Sequence, residues 1–397
     1  QCCVNSSLFR ILCTSINTKE MERMTVQERL AALRSLMKEK HVDAYLVPTD
    51  DFHGSEYVGD YFKCRKYITG FTGSAGTAVI TSDMAGLWTD GRYFIQAAQQ
   101  LEGTTVTLFK MGEPEVPTVH EFLKDKLTEG MCLGFDGRCV SAAETEELKS
   151  LLADKNIRFS VEEDLIGEIW KNRPELSSEP VMELEEKWAG KSRADKCAQI
   201  REKMAEKGAD AFILTSLDDI AWLLNIRGND IHCCPVVLSY LVMTQDEILL
   251  FANEKAFDTA VRNSLEKDGV VLKPYNDIYQ YVKTIPESRT VLLSRKNANS
   301  RLVSSLPDSV KILDEENLTL LLKAIKNPVE VENERIAHIK DGVAVTKFIY
   351  WLKKNVGKTT ITELSAADHL FALRKEQENF LDNSFDPIVS YAGHAAI

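Results

Sequence analysis

The chain has 397 residues, 44% of them hydrophobic and 27% charged, with a formal net charge of −12. This length accommodates two to four domains, and the composition is that of an ordinary globular protein able to bury a core in each. The acidic balance excludes nucleic acid as a partner class, because phosphate binding needs a dominant basic surface, and it also opposes an anionic membrane. No window approaches 18 apolar residues, so no segment is expected to span a bilayer. The nine cysteines are scattered and contain no CxxC pair. They read as reduced thiols of a cytoplasmic protein rather than as a zinc framework or a secreted disulfide set.

In chain order, residues 1–24 read as an extension outside the fold. Their short apolar run Leu8–Cys13 is interrupted by Arg10 and is too brief for a secretory segment. A helix begins after Thr25, which has Glu28 three positions on in capping-box spacing, and Leu30, Leu33, Leu36 and Met37 follow at helical intervals. Strands are expected over 43–47, 77–81, 84–88, 104–109 and 131–135, and helices over 92–101, 117–127 and 141–153. Trp170–Pro174 and Ser177–Pro180 carry turn formers without periodicity and read as a linker.

The sequence then repeats itself. Leu33-Arg34, Met37, Lys40 and Val42-Asp43-Ala44-Tyr45-Leu46-Val47 recur, at a constant offset, as Ile200-Arg201, Met204, Lys207 and Ala209-Asp210-Ala211-Phe212-Ile213-Leu214. Each copy ends in a carboxylate pair, Asp50-Asp51 or Asp218-Asp219. Two α/β domains in series are implied, over 25–165 and 190–325. In the second, strands are expected at 210–214, 235–243, 247–251, 270–272 and 290–294. After Lys326-Asn327-Pro328 the period becomes helical, with one long or two close helices over 329–355 and another over 362–379. Residues 326–397 therefore read as the beginning of a domain of a different, α+β kind.

Several clusters invite chemistry. Gly70, Gly73 and Gly76 have the spacing of a phosphate loop, but they precede a strand instead of opening a helix, and turn geometry is the simpler role. His53 and Glu56 beside Asp50-Asp51 suggest a metal or solvated turn residues, with the solvated turn favoured. His232-Cys233-Cys234 suggests a metal or redox pair, set against buried packing of two thiols at the start of an apolar strand. Asp218-Asp219 suggests acid–base work, set against helix capping or a turn. The block Leu87-Trp88-Thr89-Asp90-Gly91-Arg92-Tyr93-Phe94 presents an aromatic, a carboxylate and an arginine together, and a guanidinium suits the holding of a peptide carboxylate or carbonyl. Seven histidines without an HExxH offer no convincing set of about five ligands for a hydrolytic metal pair.

That block and the Gly70–Thr77 turn closely resemble the N-terminal domain of the Xaa-Pro aminopeptidases of the creatinase/prolidase (peptidase M24) family. Ser216–Gly228, Ala324–Glu330, Ala337–Ala344 and Ser384–Ile397 are similar, in the same order, to further blocks of the three-domain type. The resemblance implies an α/β fold of two tandem creatinase N-terminal-like domains followed by the start of an α+β pita-bread catalytic domain. It further implies a cytoplasmic, homodimeric metallo-aminopeptidase that releases the first residue of short peptides with proline at position 2, using two Mn2+ ions. The five metal ligands of that family (two Asp, one His, two Glu) correspond to positions after the segment matching 384–397, so no catalytic or metal-binding residue is assigned here. The chain is expected to be an N-terminal fragment that is inactive alone. Arg92 matches a peptide-binding position of the family, and His53 lies in a loop that faces its substrate entrance, so both are candidate substrate-binding residues. A non-enzymatic peptide- or protein-binding member of the pita-bread superfamily, or a prolidase- or creatinase-like hydrolase, is the alternative reading. The duplicated α/β domain favours the three-domain aminopeptidase.

Overall fold

A computed structural model describes residues 24–395, so the extension expected over 1–24 falls, but for its last residue, outside the described part. The chain forms two compact units that interleave along the sequence. The first is built from the chain up to Thr49, Cys64–Phe135 and Leu151–Arg173; the second comprises Asp50–Lys63, Asp136–Ser150 and the chain from Pro174 onward.

The first unit carries a six-stranded sheet of β1 (Ala44–Val47), β2 (Thr77–Thr81), β3 (Ala85–Thr89), β4 (Thr107–Lys110), β5 (Cys132–Gly134) and β6 (Arg158–Ser160). Their spatial order is β4-β3-β2-β1-β5-β6. β1 pairs antiparallel with β2, Ala44 opposite Thr81, and parallel with β5. The helix Val26–Glu39 starts on the expected capping box, Thr25 and Glu28 each accepting the other's backbone N–H, and it buries Leu30, Leu33 and Met37 against the sheet. The glycine run is a stapled turn. The buried Arg65 guanidinium donates to the Phe71 carbonyl at 2.7 Å, to Thr49 Oγ1 at 2.8 Å and to the Gly73 carbonyl. Gly76 has φ of 154°, and a Cβ there would lie 2.9 Å from the Trp88 carbonyl oxygen, so only glycine fits.

The second unit repeats this plan. Its strands, in chain order, include the two-residue β7 (Met182–Glu183) and β9 (Ile226–Arg227), which pair only with each other. The main sheet holds β8 (Ala211–Leu214), β10 (Ser239–Thr244), β11 (Ile248–Ala252), β12 (Val270–Pro274), β13 (Thr290–Leu293) and β14 (Lys311–Asp314), in the order β12-β11-β10-β8-β13-β14. With the strands of each sheet counted from its own first, the order and the parallel or antiparallel sense of every pairing are the same in both units. The duplication seen in the residues is thus a duplication of topology.

Of the four edge strands of the two main sheets, β6 and β14 escape the sequence reading. They are short and lie at sheet edges, and their side chains are only partly covered, so alternation is weak. The strand expected from 235 starts instead at Ser239. Pro235 cannot donate to a ladder, and Asp230 Oδ2 captures the Leu238 N–H at 2.8 Å before the sheet begins. From Pro328 a single helix runs to Asn355, capped by Asn327 with Glu330 and with proline at its first turn. The next helix ends at Lys375, short of the expected 379. Ile336, Ile339, Val343, Ile349 and Tyr350 of the long helix are exposed.

Asp50–Lys63 and Asp136–Ser150 lie between strands of the first sheet in the sequence but belong to the second unit. In the first of these segments Asp50 is half-buried and accepts the Asp51 N–H at 2.8 Å. Burial, and then the neighbouring carboxylates Asp51 and Glu144, push its carboxyl from 3.8 up to about 8. Between these two values the folded protein holds a proton that the unfolded chain has released, so stability falls as pH rises through that window. Asp50→Asn keeps the acceptor oxygen and removes the penalty. The variant should have a higher urea midpoint than the parent at pH 8, and an unfolding free energy greater by about 1 kcal/mol or more after allowance for solvent screening, with the gain shrinking towards pH 4. An equal or lower midpoint at pH 8 would show that Asp50 ionises freely in the folded state.

Candidate functional site

Two of the candidate positions carry hydrogen-bonded arrangements that the sequence did not announce. The first is the turn after β3. Asp90 caps the short turn Gly91–Tyr93 by accepting the Arg92 N–H at 3.1 Å, and the Arg92 guanidinium folds back onto the same carboxylate, Nε to Oδ1 and Nη2 to Oδ2, both at 2.9 Å. Arg92 hydrogen bonding holds the Asp90 carboxyl below its usual range. The Arg92 side chain is 61% exposed, so the pair is a surface one, worth about 0–1 kcal/mol. Its guanidinium carbon also lies 5.3 Å from the Tyr93 ring centre.

The same three residues recur at Asp136-Gly137-Arg138, just after β5. Arg138 donates from its backbone N–H at 3.0 Å and from Nε at 2.9 Å to Asp136 Oδ1, and from Nη2 at 2.8 Å to Oδ2. Asp-Gly-Arg is therefore a self-contained turn that closes an arginine fork onto its own carboxylate. The two copies differ in surroundings: Arg138 is 15% exposed and lies 4.3 Å from the Phe52 ring centre, whereas Arg92 faces solvent. The repeated tripeptide was the available signal for Arg138, and its pairing was not anticipated. Trp88 is not part of a presented surface. It is fully buried, stacked on Phe109 with ring centres 4.1 Å apart, and donates to the Pro117 carbonyl at 2.8 Å. This corrects the expectation of an aromatic displayed beside Asp90 and Arg92: β3 is buried along its whole length.

The second arrangement centres on His53. The favoured solvated turn is overturned for this residue, which is 2% exposed, while Glu56 is exposed as expected. His53 Nδ1 lies 3.0 Å from the Thr215 carbonyl oxygen, which can only accept, so Nδ1 carries the proton. Nε2 is then the acceptor, and the Tyr275 hydroxyl, 2.6 Å away, donates to it. The ring stacks obliquely on Tyr240, whose hydroxyl meets that of Tyr279 at 2.9 Å. Asn299 completes the network by donating to the Phe52 carbonyl at 2.9 Å. Burial lowers the His53 pKa, so the ring is neutral, and acid weakens the fold as pH falls below the ordinary histidine value of 6.5. Both ring nitrogens are thus engaged inside the second unit. The three tyrosines and Asn299 carry no local motif, because they meet His53 only through tertiary packing.

Asp218 and Asp219 stand in the first turn of the helix Leu217–Leu224, whose N-terminal dipole favours them. Lys323 Nζ bridges both, at 2.8 Å from Asp219 Oδ1, and Asn317 donates to Asp219 Oδ2 at 3.1 Å. Burial alone would raise the Asp218 pKa, but hydrogen bonds from Lys323 and Ser216 hold it below its usual value. The pair is an ion-paired brace at the helix start, and Asp218 is not poised as a general acid. His232, Cys233 and Asp386 bring an imidazole nitrogen, a thiol sulfur and a carboxylate oxygen within 4.8 Å of one another, and Cys233 and Cys234 are only half-buried. The deeper packing favoured for these thiols is not what the structure shows. Cys132, Cys197, Cys233 and Cys234 are free thiols.

A hydrolytic metal pair needs several convergent hard donors. Among the described residues, the one group of three or more His, Cys, Asp and Glu close enough to hold an ion is His232, Cys233 and Asp386. A thiol, one imidazole and one carboxylate do not fit a set of two Asp, one His and two Glu. The described residues therefore do not build that centre.

Comparison with known proteins agrees with this architecture. Residues 29–165 and 172–330 each match a family described as the Creatinase/Prolidase N-terminal domain. The chain is 38% identical over 397 residues to a probable Xaa-Pro aminopeptidase P of Laccaria bicolor, covering 97% of this chain and 61% of the relative. It is 34% identical to aminopeptidase P2 of Arabidopsis thaliana, covering 96% and 58%. Among solved structures it is similar to the X-prolyl aminopeptidase of Caenorhabditis elegans, described as a cytosolic enzyme with a di-nuclear active site, with a TM-score of 0.86 and 33% identity over 91% of this chain and 62% of that one. The chain thus spans about three-fifths of the length of the relatives it matches. With two creatinase-type N-terminal domains of one topology in series, this chain belongs to the creatinase/prolidase family, and its matched relatives are Xaa-Pro aminopeptidases P.

Proposed function

We propose that the protein acts as a Xaa-Pro aminopeptidase, a metallopeptidase that releases the N-terminal residue from short peptides with proline at position 2. The observation that carries this reading is the duplicated six-stranded domain, present with one strand order in both units, in a chain similar to aminopeptidases P along nearly its whole length. A two-ion centre, with Mn2+ as the metal, a homodimeric assembly and a cytoplasmic location belong to the same proposal. The two-ion centre and the location are supported by the similar nematode enzyme, which is cytosolic with a di-nuclear active site, and the metal and the dimer by the resemblance of the sequence blocks. No helix among the described residues is long and apolar enough to cross a membrane.

Within this reading the described residues bind and position. Arg92 is the candidate peptide contact, since its fork is preformed on Asp90 and its side chain remains at the surface. A guanidinium held in that way can turn to a substrate carbonyl or carboxylate at little entropic cost. His53 is better suited to holding the loop 50–63 in shape than to touching a peptide, because its ring is buried and both nitrogens are used.

The activity test compares two polypeptides. A protein extended to the length of its relatives, supplied with Mn2+, should release the first residue from a tripeptide of the form Xaa-Pro-Xaa. Residues 1–397 alone should show no turnover above a metal-only blank, because the described residues lack the ligand set. Stoichiometric hydrolysis by 1–397 would overturn the reading that these residues bind and position without holding the metal pair. A strong preference for the dipeptide Xaa-Pro would replace the aminopeptidase reading with a prolidase.

A second test addresses Arg92 in that extended protein. Arg92→Ala removes one charge-assisted contact of about 1.5–3 kcal/mol, so kcat/KM should fall about 10- to 150-fold with little change in Tm. Arg92→Lys should recover only part, since an ammonium cannot reproduce the fork. If Arg92 serves only to brace Asp90, then Asp90→Ala and Arg92→Ala would lower Tm alike and leave kcat/KM of the folded enzyme unchanged.

A further inference from the structure

The turn Ile231–Cys234 is closed by a hydrogen bond from the Cys234 N–H to the Ile231 carbonyl at 3.0 Å. Its third residue, Cys233, has φ of 60°, the left-handed region that such a turn normally gives to glycine or asparagine. A cysteine there carries a local backbone cost, because its Cβ crowds the following carbonyl oxygen. The conformation has a consequence: adjacent side chains that would diverge on an extended strand come together, so the His232 and Cys233 donor atoms lie on one side. Across from them, Asp386 places Oδ1 2.9 Å from His232 Nε2. All three donor atoms lie within 4.8 Å of one another, although Asp386 is far away in sequence.

We propose that His232 Nε2, Cys233 Sγ and an Asp386 carboxylate oxygen form a mononuclear site for Zn2+ or a similar borderline divalent transition metal, with water as fourth ligand. Zinc bonds to nitrogen, oxygen and sulfur run from about 2.0 to 2.3 Å, and a tetrahedron of such bonds has edges of roughly 3.3–3.8 Å. The His232–Asp386 separation need widen by only a few tenths of an ångström as the ion replaces the shared proton. Both side chains are free to make that adjustment, being 71% and 80% exposed. The thiol is the least mobile donor because the turn fixes it.

The surroundings favour a cation. A cleft of about 440 Å3 opens beside Cys233, lined also by Met182, Arg227, Leu381 and Asp382. The one cationic side chain of that lining, Arg227, is committed to the Ala221 and Ile226 carbonyls, each at 2.9 Å. The carboxylates Asp382 and Asp386 act electrostatically on the Cys233 position, and their negative field attracts a metal ion. A mixed thiolate, imidazole and carboxylate set suits zinc and cobalt better than harder Mn2+. The ion would clip residues 381–386 to the 231–234 turn within the second unit.

Titration of the purified chain with Co2+ tests this, because cobalt bound by thiolate gives a near-ultraviolet charge-transfer band that zinc abolishes on displacement. One equivalent should develop the band, and Mn2+ should fail to compete. His232→Ala, Cys233→Ser and Asp386→Asn should each weaken cobalt and zinc binding at least tenfold, while Cys234→Ser leaves both unchanged. Zn2+ should also slow proteolysis over 376–391 in the parent and not in Cys233→Ser. Absence of the band, its survival in Cys233→Ser, or equal loss in Cys234→Ser would overturn the site. Unchanged affinity in Asp386→Asn would remove the carboxylate ligand and with it the proposed clip.

Discussion

Each unit depends on the demand that its first strand satisfy hydrogen bonds on both edges while burying side chains on both faces. β1 and β8 lie third from one end of their sheets, paired antiparallel on one side and parallel on the other, and all four residues of each are buried. The antiparallel partner, β2 or β10, comes first in the chain and turns directly into β3 or β11, whereas a parallel partner must be reached by a crossover. This explains why each sheet grows first through a hairpin-linked pair, β2–β3 or β10–β11, and only later adds β5–β6 or β13–β14 on the opposite side. The same constraint, met twice, produces the same strand order twice.

Several polar groups enclosed by this scaffold are held by specific partners. Arg65 fastens the glycine turn through backbone carbonyls, and His53 satisfies one carbonyl and one hydroxyl in a tautomer set by its neighbours. Lys196 donates to the Trp222 carbonyl at 2.9 Å and to Asn225 Oδ1 at 2.7 Å, while Arg193 donates to the Leu224 carbonyl at 2.7 Å. Two cations from one helix thus cap the C-terminus of another, where the helix dipole is negative. Burial draws the Lys196 pKa down to about 8, a measure of how fully that cation has been taken from water. Such arrangements set orientation and register; removing one partner would leave the other buried and unpaired, which is costly.

The two Asp-Gly-Arg turns separate local geometry from function. Their hydrogen bonds agree to within 0.1 Å, so the tripeptide alone accounts for the fork. Context determines what the fork does next. Arg138 is spent on the face of Phe52 inside the second unit, and Arg92 is left at the surface where a peptide could meet it. A pairing of Asp90 with Arg92 is therefore no argument against a binding role.

The duplication, the helix starts at Thr25 and Asn327, the central strands and the family were legible in the sequence, because repeated residues, capping boxes and dense apolar runs are local signals. The edge strands β6 and β14 were not, since a strand half in water shows little alternation, and Trp88 read as displayed because the sequence of β3 does not reveal that both its faces are covered. Tertiary structure alone decided that residues 50–63 and 136–150 belong with the second unit, that His53 is buried among Tyr240, Tyr275 and Asn299, and that Asp386 lies beside His232. Each of these joins residues dozens to hundreds of positions apart. Sequence periodicity records which side of an element is apolar; it does not record which distant polar atom will complete a hydrogen bond.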